Sequence, residues 1–246
     1  MQNILIIGAG SAIAKACARR FASAGRHLFL VMRDETALAE QIADLHCRGA
    51  GSVAGAALDI LDTKKHDQVI RQAQVQLGKI DAILVAHGSL PDQAVCEQNI
   101  EATLSAITLN GTATVALLTG LAQLLEQQQS GCLAVITSVA GDRGRESNYV
   151  YGCAKAMVST FLQGLDQRLS KQGIRVIDIK PGFVITPMTE GFNRSGPLWS
   201  QPEKIAGIIE PALLHKRGTV YAPGFWRMIM AIICLIPTPL FRKIRL

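Results

Sequence analysis

The sequence predicts one α/β domain built on a doubly wound, parallel sheet of about seven strands with helices on both faces. Its 246 residues suit a single domain of this class. Hydrophobic residues make up 49% of the chain, and its 22 glycines suit the tight turns of such a fold. Short apolar runs alternate with longer helix-like patterns, which indicates parallel strands joined by right-handed crossovers. We therefore expect the ligand site outside the carboxyl ends of the strands.

The predicted strands are β-branched or apolar runs at residues 3–7, 27–32, 52–58, 79–86, 132–137 and 174–179, with a weaker one at 219–221. Helical periodicity covers residues 12–24, 36–48, 63–77, 99–129, 148–172 and 201–216. The pattern indicates one catalytic domain over residues 1–224, with a substrate loop at 187–201, and an apolar, basic tail over 225–246.

Cysteine spacing and charge narrow the function classes. The six cysteines lie far apart without a Cys-x-x-Cys pair, which indicates neither a zinc site nor a disulfide framework, so we expect no metal. No cleavable leader pattern precedes the first strand, and we expect a cytoplasmic protein. Four of the basic residues, Arg227, Arg242, Lys243 and Arg245, lie in the tail, where there is no acid. No basic stripe with stacking aromatics appears elsewhere, so nucleic acid is not an expected partner.

A turn of small residues follows the first predicted strand: Gly8-Ala9-Gly10-Ser11-Ala12-Ile13-Ala14. Such a turn presents backbone N–H groups and a helix N-terminus to a pyrophosphate. Read as G-x-G-x-x-G it fails at Ile13; read as G-x-x-x-G-x-G it keeps Gly8 and has Ala12 and Ala14 in place of the later glycines. By itself the turn fits a dinucleotide loop and an ordinary strand-to-helix connection equally well.

The end of the second strand, Val31-Met32-Arg33-Asp34, bears on cofactor preference. An acid at this point accepts hydrogen bonds from the adenosine ribose of NAD, whereas an arginine favours the additional phosphate of NADP. Met32 takes the acidic position and Arg33 follows it, so the sequence favours NADP(H) over NAD(H). Asp34 fits the N-cap of the next helix, and a solvated loop cation is the plainer interpretation of Arg33.

The strongest chemical signal is Tyr151-Gly152-Cys153-Ala154-Lys155 in a predicted helix. Residues four apart share a helix face, so the phenol and the ammonium address one cavity. A neighbouring ammonium favours phenolate, and we expect Lys155 to lower the pKa of Tyr151. Chance produces Tyr-x-x-x-Lys often, but Ser138 ends the fifth predicted strand at a spacing that folds back onto the tyrosine. Its hydroxyl would polarise a substrate oxygen.

Together these segments resemble the short-chain dehydrogenase/reductase family over nearly the whole chain, from Ile4 to about Tyr221. The resemblance implies a Rossmann fold and a catalytic set of Asn110, Ser138, Tyr151 and Lys155. Tyr151 would exchange a proton with the substrate oxygen while hydride passes between nicotinamide and a carbonyl or alcohol. Asn110 would hold a water beside Lys155 and mark a local helix irregularity.

The resemblance also implies a cofactor site and an assembly. Its predicted residues are Gly8, Gly10, Ser11, Ala12, Ile13, Arg33, Asp59, Ile60, Ala86, Gly88, Tyr151, Lys155, Pro181, Gly182 and Thr186. The family's Asn-Asn-Ala-Gly segment becomes Val85-Ala86-His87-Gly88, where His87 takes a structural hydrogen bond in preference to a catalytic role. Homodimers or homotetramers are usual in the family, through the helices that carry Asn110 and Tyr151.

Three arginines, Arg143, Arg145 and Arg194, lie in segments expected around the cavity mouth. Guanidinium groups suit phosphate recognition, which raises the hypothesis of an anionic substrate, against the plainer interpretation of exposed loop charges. In the tail, the apolar run at 228–236 is too short to span a bilayer, which takes ~20 residues. It suits either a membrane surface, with Trp226 and Phe241 beside the cations, or packing against protein.

A narrower resemblance is to the branch of bacterial decaprenylphosphoryl-2-keto-ribose reductases. It rests on the glycine-poor loop, the segment from Ala140 to Arg145 and the basic apolar tail. That likeness implies a lipid-linked, phosphorylated keto-sugar as substrate and contact with the inner face of the membrane. A reductase of lipid-like or steroid-like carbonyls is an alternative. A non-catalytic NADP(H)-binding regulator is another, since the altered loop and the missing asparagines fit lost activity, although the four catalytic residues are intact.

Overall fold

The computed structural model describes residues 1–244, so the predicted cationic anchor Arg245 lies outside the described residues. Nine strands are present: β1 Asn3–Ile7, β2 His27–Met32, β3 Ser52–Ala57, β4 Ala82–Val85, β5 Cys132–Ile136, β6 Arg175–Pro181, β7 Phe183–Val184, β8 Trp199–Ser200 and β9 Gly218–Ala222. Seven form one sheet in the order β3-β2-β1-β4-β5-β6-β9, with every neighbouring pair parallel. The predicted doubly wound sheet is confirmed.

The helices are α1 Ala12–Ser23, α2 Glu35–Cys47, α3 His66–Leu77, α4 Gln93–Gln98, α5 Ile100–Ile107, α6 Ala113–Gln128, α7 Tyr149–Leu169, α8 Pro202–His215, α9 Trp226–Leu235 and α10 Thr238–Phe241. A π-helical turn at Thr108–Thr112 joins α5 to α6. Short 3₁₀ turns lie at Thr63–Lys65, Val139–Gly141, Ser170–Gln172 and Pro187–Thr189.

Alternate residues of the strands build a core on each face of the sheet. Ile4 and Ile6 of β1 join an apolar cluster with α1, α2 and α8. Leu5 and Ile7, which point the opposite way, join a second cluster with α3, α6 and α7. Both faces of the sheet are therefore covered by helices.

The segment α5 to α6 is continuous over Ile100–Gln128, long and apolar enough by length and composition to cross a membrane. Its inner side carries Leu117, Leu118 and Leu121, which are fully buried against the sheet and its neighbours. Burial in the protein core accounts for part of this apolar composition.

Helix α4 and the strands β7 and β8 escape the sequence prediction. Helix α4 has only six residues, capped by the Asp92 carboxylate, which accepts from the amides of Ala94 and Val95. Strands β7 and β8 pair over only two residues each, where Phe183 stacks on Trp199 with ring centroids 5.2 Å apart. Elements this short leave no periodic pattern, because they depend on a cap or on a contact distant in sequence.

The tail forms the helices α9 and α10 and packs on the domain. Trp226 is only 2% exposed, contacts Phe183 edge-on and clusters with Val139 and Met230. The expectation that Trp226 lies at a membrane interface is therefore wrong: its indole belongs to the protein's own core. Phe241 lies beneath the guanidinium of Arg143, 3.8 Å from carbon to ring centroid.

Candidate active site

The predicted site residues gather at the carboxyl ends of the parallel strands, as the topology requires. The turn after β1 approaches the end of β4 closely. Gly8 has a φ of +76°, and a Cβ there would lie 2.3 Å from the amide nitrogen of His87. Glycine is thus needed at position 8 both for its backbone conformation and for the close approach of the two strand ends.

The start of α1 fits an anion. Ser11 caps the helix, its hydroxyl accepting from the amide of Ala14 at 3.2 Å. The first turn of α1 carries no acidic side chain, so no negative charge of the helix itself neutralises the positive end of its dipole. The amides of Ala12 and Ile13 open the helix, where no preceding turn supplies carbonyl acceptors. Gly10 is exposed beside the Met32 side chain.

The adenosine side of the predicted site is open. Arg33 is exposed immediately after β2, and the predicted N-cap of α2 is confirmed, since the Asp34 carboxylate accepts from the amide of Ala37 at 3.0 Å. Asp59 is exposed after β3, and one of its carboxylate oxygens accepts from the amide of Leu61 at 3.0 Å. Ile60 beside it is buried.

Ser138 and Tyr151 lie close together at the carboxyl ends of the strands. Strand β5 ends at Ile136, two residues before Ser138, which caps the following turn by accepting from the amide of Ala140 at 3.0 Å. The side chains of Ser138 and Tyr151 are hydrogen bonded, which favours a lower pKa of the phenol, but burial dominates and raises the pKa of Tyr151 to about 12. The phenol therefore holds its proton at neutral pH.

Lys155 lies one helical turn beyond Tyr151, with its ammonium nitrogen 5.7 Å from the centre of the phenol ring. It donates to the carbonyl of Ile136 at 3.3 Å. Burial lowers the pKa of Lys155 to about 8, while the nearby Asp178 carboxylate acts in the opposite direction. Burial thus sets the direction of the Tyr151 pKa shift, and the lowering expected from Lys155 is not seen.

Asn110 occupies the π-helical turn, which confirms the predicted helix irregularity. Its side chain is fully buried: the amide nitrogen donates to the carbonyl of Ala106 and the oxygen accepts from the amide of Ser89, both at 3.0 Å. A Cβ on Gly88 would lie 2.9 Å from the Asn110 oxygen and 3.2 Å from the Lys155 nitrogen. Asn110 and Lys155 therefore border one narrow space over Gly88.

His87 has the structural hydrogen bond that the sequence favours. Its Nε2 lies 2.8 Å from the hydroxyl of Thr114, and that hydroxyl donates to the carbonyl of Leu109 in the π-helical turn. Because the one Thr114 proton is taken, His87 must carry its proton on Nε2. Burial, reinforced by Lys155, lowers the pKa of His87 to about 3, so the ring is neutral.

The predicted nicotinamide side lies between β6 and β8. Pro181 ends β6, and Gly182 is covered by the tail, since a Cβ there would lie 1.9 Å from the indole of Trp226. Thr186 opens a 3₁₀ turn and its amide donates to the Thr189 hydroxyl at 3.1 Å. The tail thus packs directly behind this predicted cofactor loop.

The three arginines predicted to bind an anion make different contacts. Arg143 donates to the carbonyls of Ile233, Cys234 and Ile236 at the end of α9, and Arg194 donates to those of Thr186 and Thr189. Both guanidinium groups serve local structure, so the three do not form one anion site. Arg145 donates to the carbonyl of Val139 and borders a cavity of about 280 Å³, together with Glu146, Phe241, Arg242 and Ile244.

The residues present fit a dinucleotide. The turn after β1 leaves a cradle at Gly8 that a Cβ would fill, an uncompensated helix N-terminus follows that turn, and Arg33 is exposed at the end of the neighbouring strand β2. When bound, NAD(P) would supply or accept hydride beside Tyr151.

Comparison with known proteins decides the family. The model of the short chain dehydrogenases matches residues 2–196. The chain belongs to this family. An uncharacterized oxidoreductase of Mycobacterium tuberculosis is 35% identical to it over 240 residues, covering 98% of this chain and 96% of the relative. This short-chain dehydrogenase is therefore an oxidoreductase.

Solved structures share the fold of this short-chain dehydrogenase. Levodione reductase superposes with a TM-score of 0.83 at 23% identity, covering 92% of this chain and 98% of that one. A variant of actinorhodin polyketide ketoreductase, solved with NADPH, gives a TM-score of 0.79 at 20% identity, covering 91% of this chain and 97% of that one.

One group of polar residues behind the site escaped sequence reasoning. Lys180 forms ion pairs with Asp142 and Asp178, all three nearly inaccessible to solvent. Asp142 also accepts from the Tyr221 hydroxyl at 2.9 Å, and Thr137 donates to Asp178. The signal was available, since Asp178 and Lys180 interrupt an apolar strand at same-face spacing.

Proposed function

We propose that this chain is a cytoplasmic NADP(H)-dependent reductase of a carbonyl on an amphiphilic substrate, with a polyprenyl-phosphate keto-sugar as the leading candidate. The observation that carries the proposal is the buried Tyr151, hydrogen bonded to Ser138 and one helical turn from Lys155, at the edge of the sheet that fits the dinucleotide. A phenol that keeps its proton at neutral pH suits the direction of carbonyl reduction.

In this mechanism the chain's residues place and protonate the reacting oxygen. The Ser138 hydroxyl donates to the substrate carbonyl and polarises it, and Tyr151 gives its proton to the oxygen as the alcohol forms. The Lys155 ammonium stabilises the resulting phenolate. Asn110, beside Lys155 over Gly88, holds the water from which Tyr151 regains its proton.

The direct test replaces Tyr151 by Phe, which removes the proton and little volume. We expect turnover of NADPH with any accepted carbonyl to fall ~10²–10⁴-fold, the usual contribution of a positioned acid, while NADPH affinity stays within about twofold. Wild-type turnover in the variant would refute the assignment of Tyr151. NADPH binding without turnover across a broad carbonyl panel would favour the regulator.

The preference for NADP(H) rests on Arg33 and on the position before it, where Met32 replaces the acid expected for NAD. Replacing Arg33 by Ala should raise KM for NADPH about tenfold, because a charge-assisted hydrogen bond to the phosphate is lost, and should leave KM for NADH unchanged. Arg71, an exposed arginine of α3, gives the matched control as Arg71→Ala. Equal effects on both cofactors would contradict the preference.

The amphiphilic substrate is supported by apolar side chains around the predicted nicotinamide loop. Met188, Phe192 and Leu198 are exposed on the substrate loop, and Phe183 beside them is also partly open. The cavity at the tail, lined by Arg145 and Arg242 together with Glu146, adds two guanidinium groups that suit a phosphate. An apolar chain and a phosphate on one substrate would satisfy both features.

The substrate test is NADPH oxidation with four carbonyls: a small neutral ketone, a soluble phosphorylated ketose, a steroid ketone and a prenyl-phosphate-linked keto-sugar. We expect the highest kcat/KM with the last, and a loss confined to the two phosphorylated substrates in Arg145→Ala. Equal handling of all four would refute this substrate class, and preference for the steroid would favour the lipid-carbonyl alternative.

We also propose a homodimer or homotetramer through α5, α6 and α7. Ile100 and Leu104 on α5 and Tyr149 and Met157 on α7 are exposed, and apolar side chains on long helix faces favour association. Mass measurement in solution tests this: Leu104→Glu should reduce the oligomer mass, whereas Val75→Glu on α3 should not.

A further inference from the structure

Helix α9 is amphipathic: one side packs against the protein and the other is exposed. Trp226 and Met230 point into the protein and are almost fully buried. The opposite side carries Met228, Ile232 and Leu235, which are 67%, 62% and 82% exposed. Their spacing of four and then three residues forms one continuous stripe on the helix surface. Beyond the helix, Leu240 and Ile244 are also exposed apolar side chains.

Cations flank these apolar side chains in sequence, and the exposed Glu146 lines the same cavity as Arg242. Arg227, Arg242 and Lys243 are exposed, and residues 219–246 contain neither Asp nor Glu. An apolar strip flanked by positive charge differs from an ordinary protein interface, where charged residues of both signs form the rim. We call the exposed side chains of α9 and α10, with these cations, the tail face.

The tail face is held in a fixed orientation. Arg143 donates to the carbonyls of Ile233 and Ile236 at the end of α9, the latter at 2.7 Å, and its guanidinium covers Phe241 of α10. Trp226 is locked against Gly182 at the other end of the helix. The outward exposure of Ile232 and Leu235 is therefore a property of a packed helix and not of a frayed end.

We propose that the tail face docks on the surface of a bilayer that contains anionic phospholipid. A second copy of the chain would bring Arg227, Arg242 and Lys243 against a surface equally rich in cations and without acids on the same segment. A bilayer surface satisfies both features at once: the apolar side chains enter the interface, and the cations meet lipid phosphates. With ten residues, α9 lies in the interface and does not span the membrane.

Docking would turn the predicted substrate entrance toward the lipid. Strand β9 leads directly into the tail, and β6 leads into the loop carrying Met188, Phe192 and Leu198. Since β6 and β9 are parallel neighbours, both segments leave the sheet at the same edge as Tyr151. This inference deepens the proposed lipid-linked substrate, but docking itself needs no substrate, so the two are tested separately.

The experiment is co-sedimentation of the full chain with sucrose-loaded vesicles of phosphatidylcholine, with and without 30 mol% phosphatidylglycerol (about the anionic fraction that gives a strong surface potential). We expect binding to the anionic vesicles, weakened by 0.5 M NaCl, which screens the charge contribution. The variant Ile232→Glu/Leu235→Glu should lower the partition coefficient about tenfold or more, because it removes apolar insertion and adds repulsion. Val75→Glu on α3, with Val75 82% exposed, is the matched control and should bind like wild type.

Several outcomes overturn the proposal. Wild-type protein that stays in solution with anionic vesicles refutes it, as does equal loss of binding in Val75→Glu. A change in solution mass of Ile232→Glu/Leu235→Glu without vesicles would show that the face joins copies of this chain.

NADPH oxidation with a small soluble ketone should be unchanged in the variant. Vesicle binding without turnover of any lipid-linked carbonyl would keep the docking and refute only the proposed substrate.

Discussion

At the residue scale, the site depends on one glycine that separates two polar side chains. Asn110 is held by the amide of Ser89 and the carbonyl of Ala106, and Lys155 by the carbonyl of Ile136, so neither side chain can move freely. Gly88 lies between them. The motif indicates these residues, but not the space between them, which forms where the segment after β4, the π-helical turn and α7 meet.

Gly88→Ala should therefore lower kcat while the fold persists. The added methyl would lie 2.9 Å from the Asn110 oxygen and 3.2 Å from the Lys155 nitrogen, so one of them must shift. A displacement below 1 Å in a catalytic group suffices for a loss of about tenfold or more. Gly144→Ala, where a Cβ meets nothing within 4 Å, is the control and should keep wild-type kcat. Equal kcat in both variants would contradict the account of the site.

The pH dependence of reduction should follow Lys155 and not Tyr151. Tyr151, with a pKa of about 12, stays protonated through the working range, whereas Lys155, with a pKa of about 8, loses its charge as pH rises. Its charge stabilises the phenolate formed during reduction, so kcat/KM should be level from pH 6 to about 7.5 and fall about tenfold per unit well above 8. A rate that rises up to pH 10 would mean that the phenolate, and not the phenol, is the active form.

At the element scale, periodic segments were predicted closely and irregular ones were not. Strands β1 and β2 match their predicted bounds, because continuous apolar runs between turn residues define them. Strand β4 is shorter than predicted, since the amide of Ile80 bonds the Gln128 side chain and leaves the ladder. Strand β6 also places an ion cluster inside the protein, where its apolar pattern alone predicts only a core strand.

Lys180→Met should destabilise the protein by ~3–5 kcal/mol, because it leaves Asp142 and Asp178 buried without their cation. Chemical denaturation measures the free energy of unfolding. Lys216→Met, at an exposed position after α8, is the control and should change stability by less than about 0.5 kcal/mol. A loss in Lys180→Met no larger than that of the control would show that the cluster is hydrated and weakly coupled.

At the scale of the whole molecule, the sequence predicts the fold and a catalytic set but not the place of residues 225–244. Composition marks the tail as apolar and basic, and the same composition fits a membrane surface and a packed helix. The structure divides the two roles between opposite sides of α9: Trp226 packs on Gly182, while Ile232 faces outward. This division depends on contacts across about forty residues of chain, which local pattern does not encode.

If the tail belongs to the core of the domain, Trp226→Ala should cost ~3–5 kcal/mol of unfolding free energy, as large-to-small changes of buried aromatics do. Trp226 is 2% exposed and clusters with Val139, next to Ser138, so the loss should also loosen the Ser138 turn and lower kcat. Phe225→Ala removes a neighbouring aromatic that is 39% exposed and should cost clearly less. Urea denaturation and single-turnover kinetics measure the two effects. Equal, small losses in both variants would mean that the tail is an appendage, and that the catalytic edge of the sheet is complete without it.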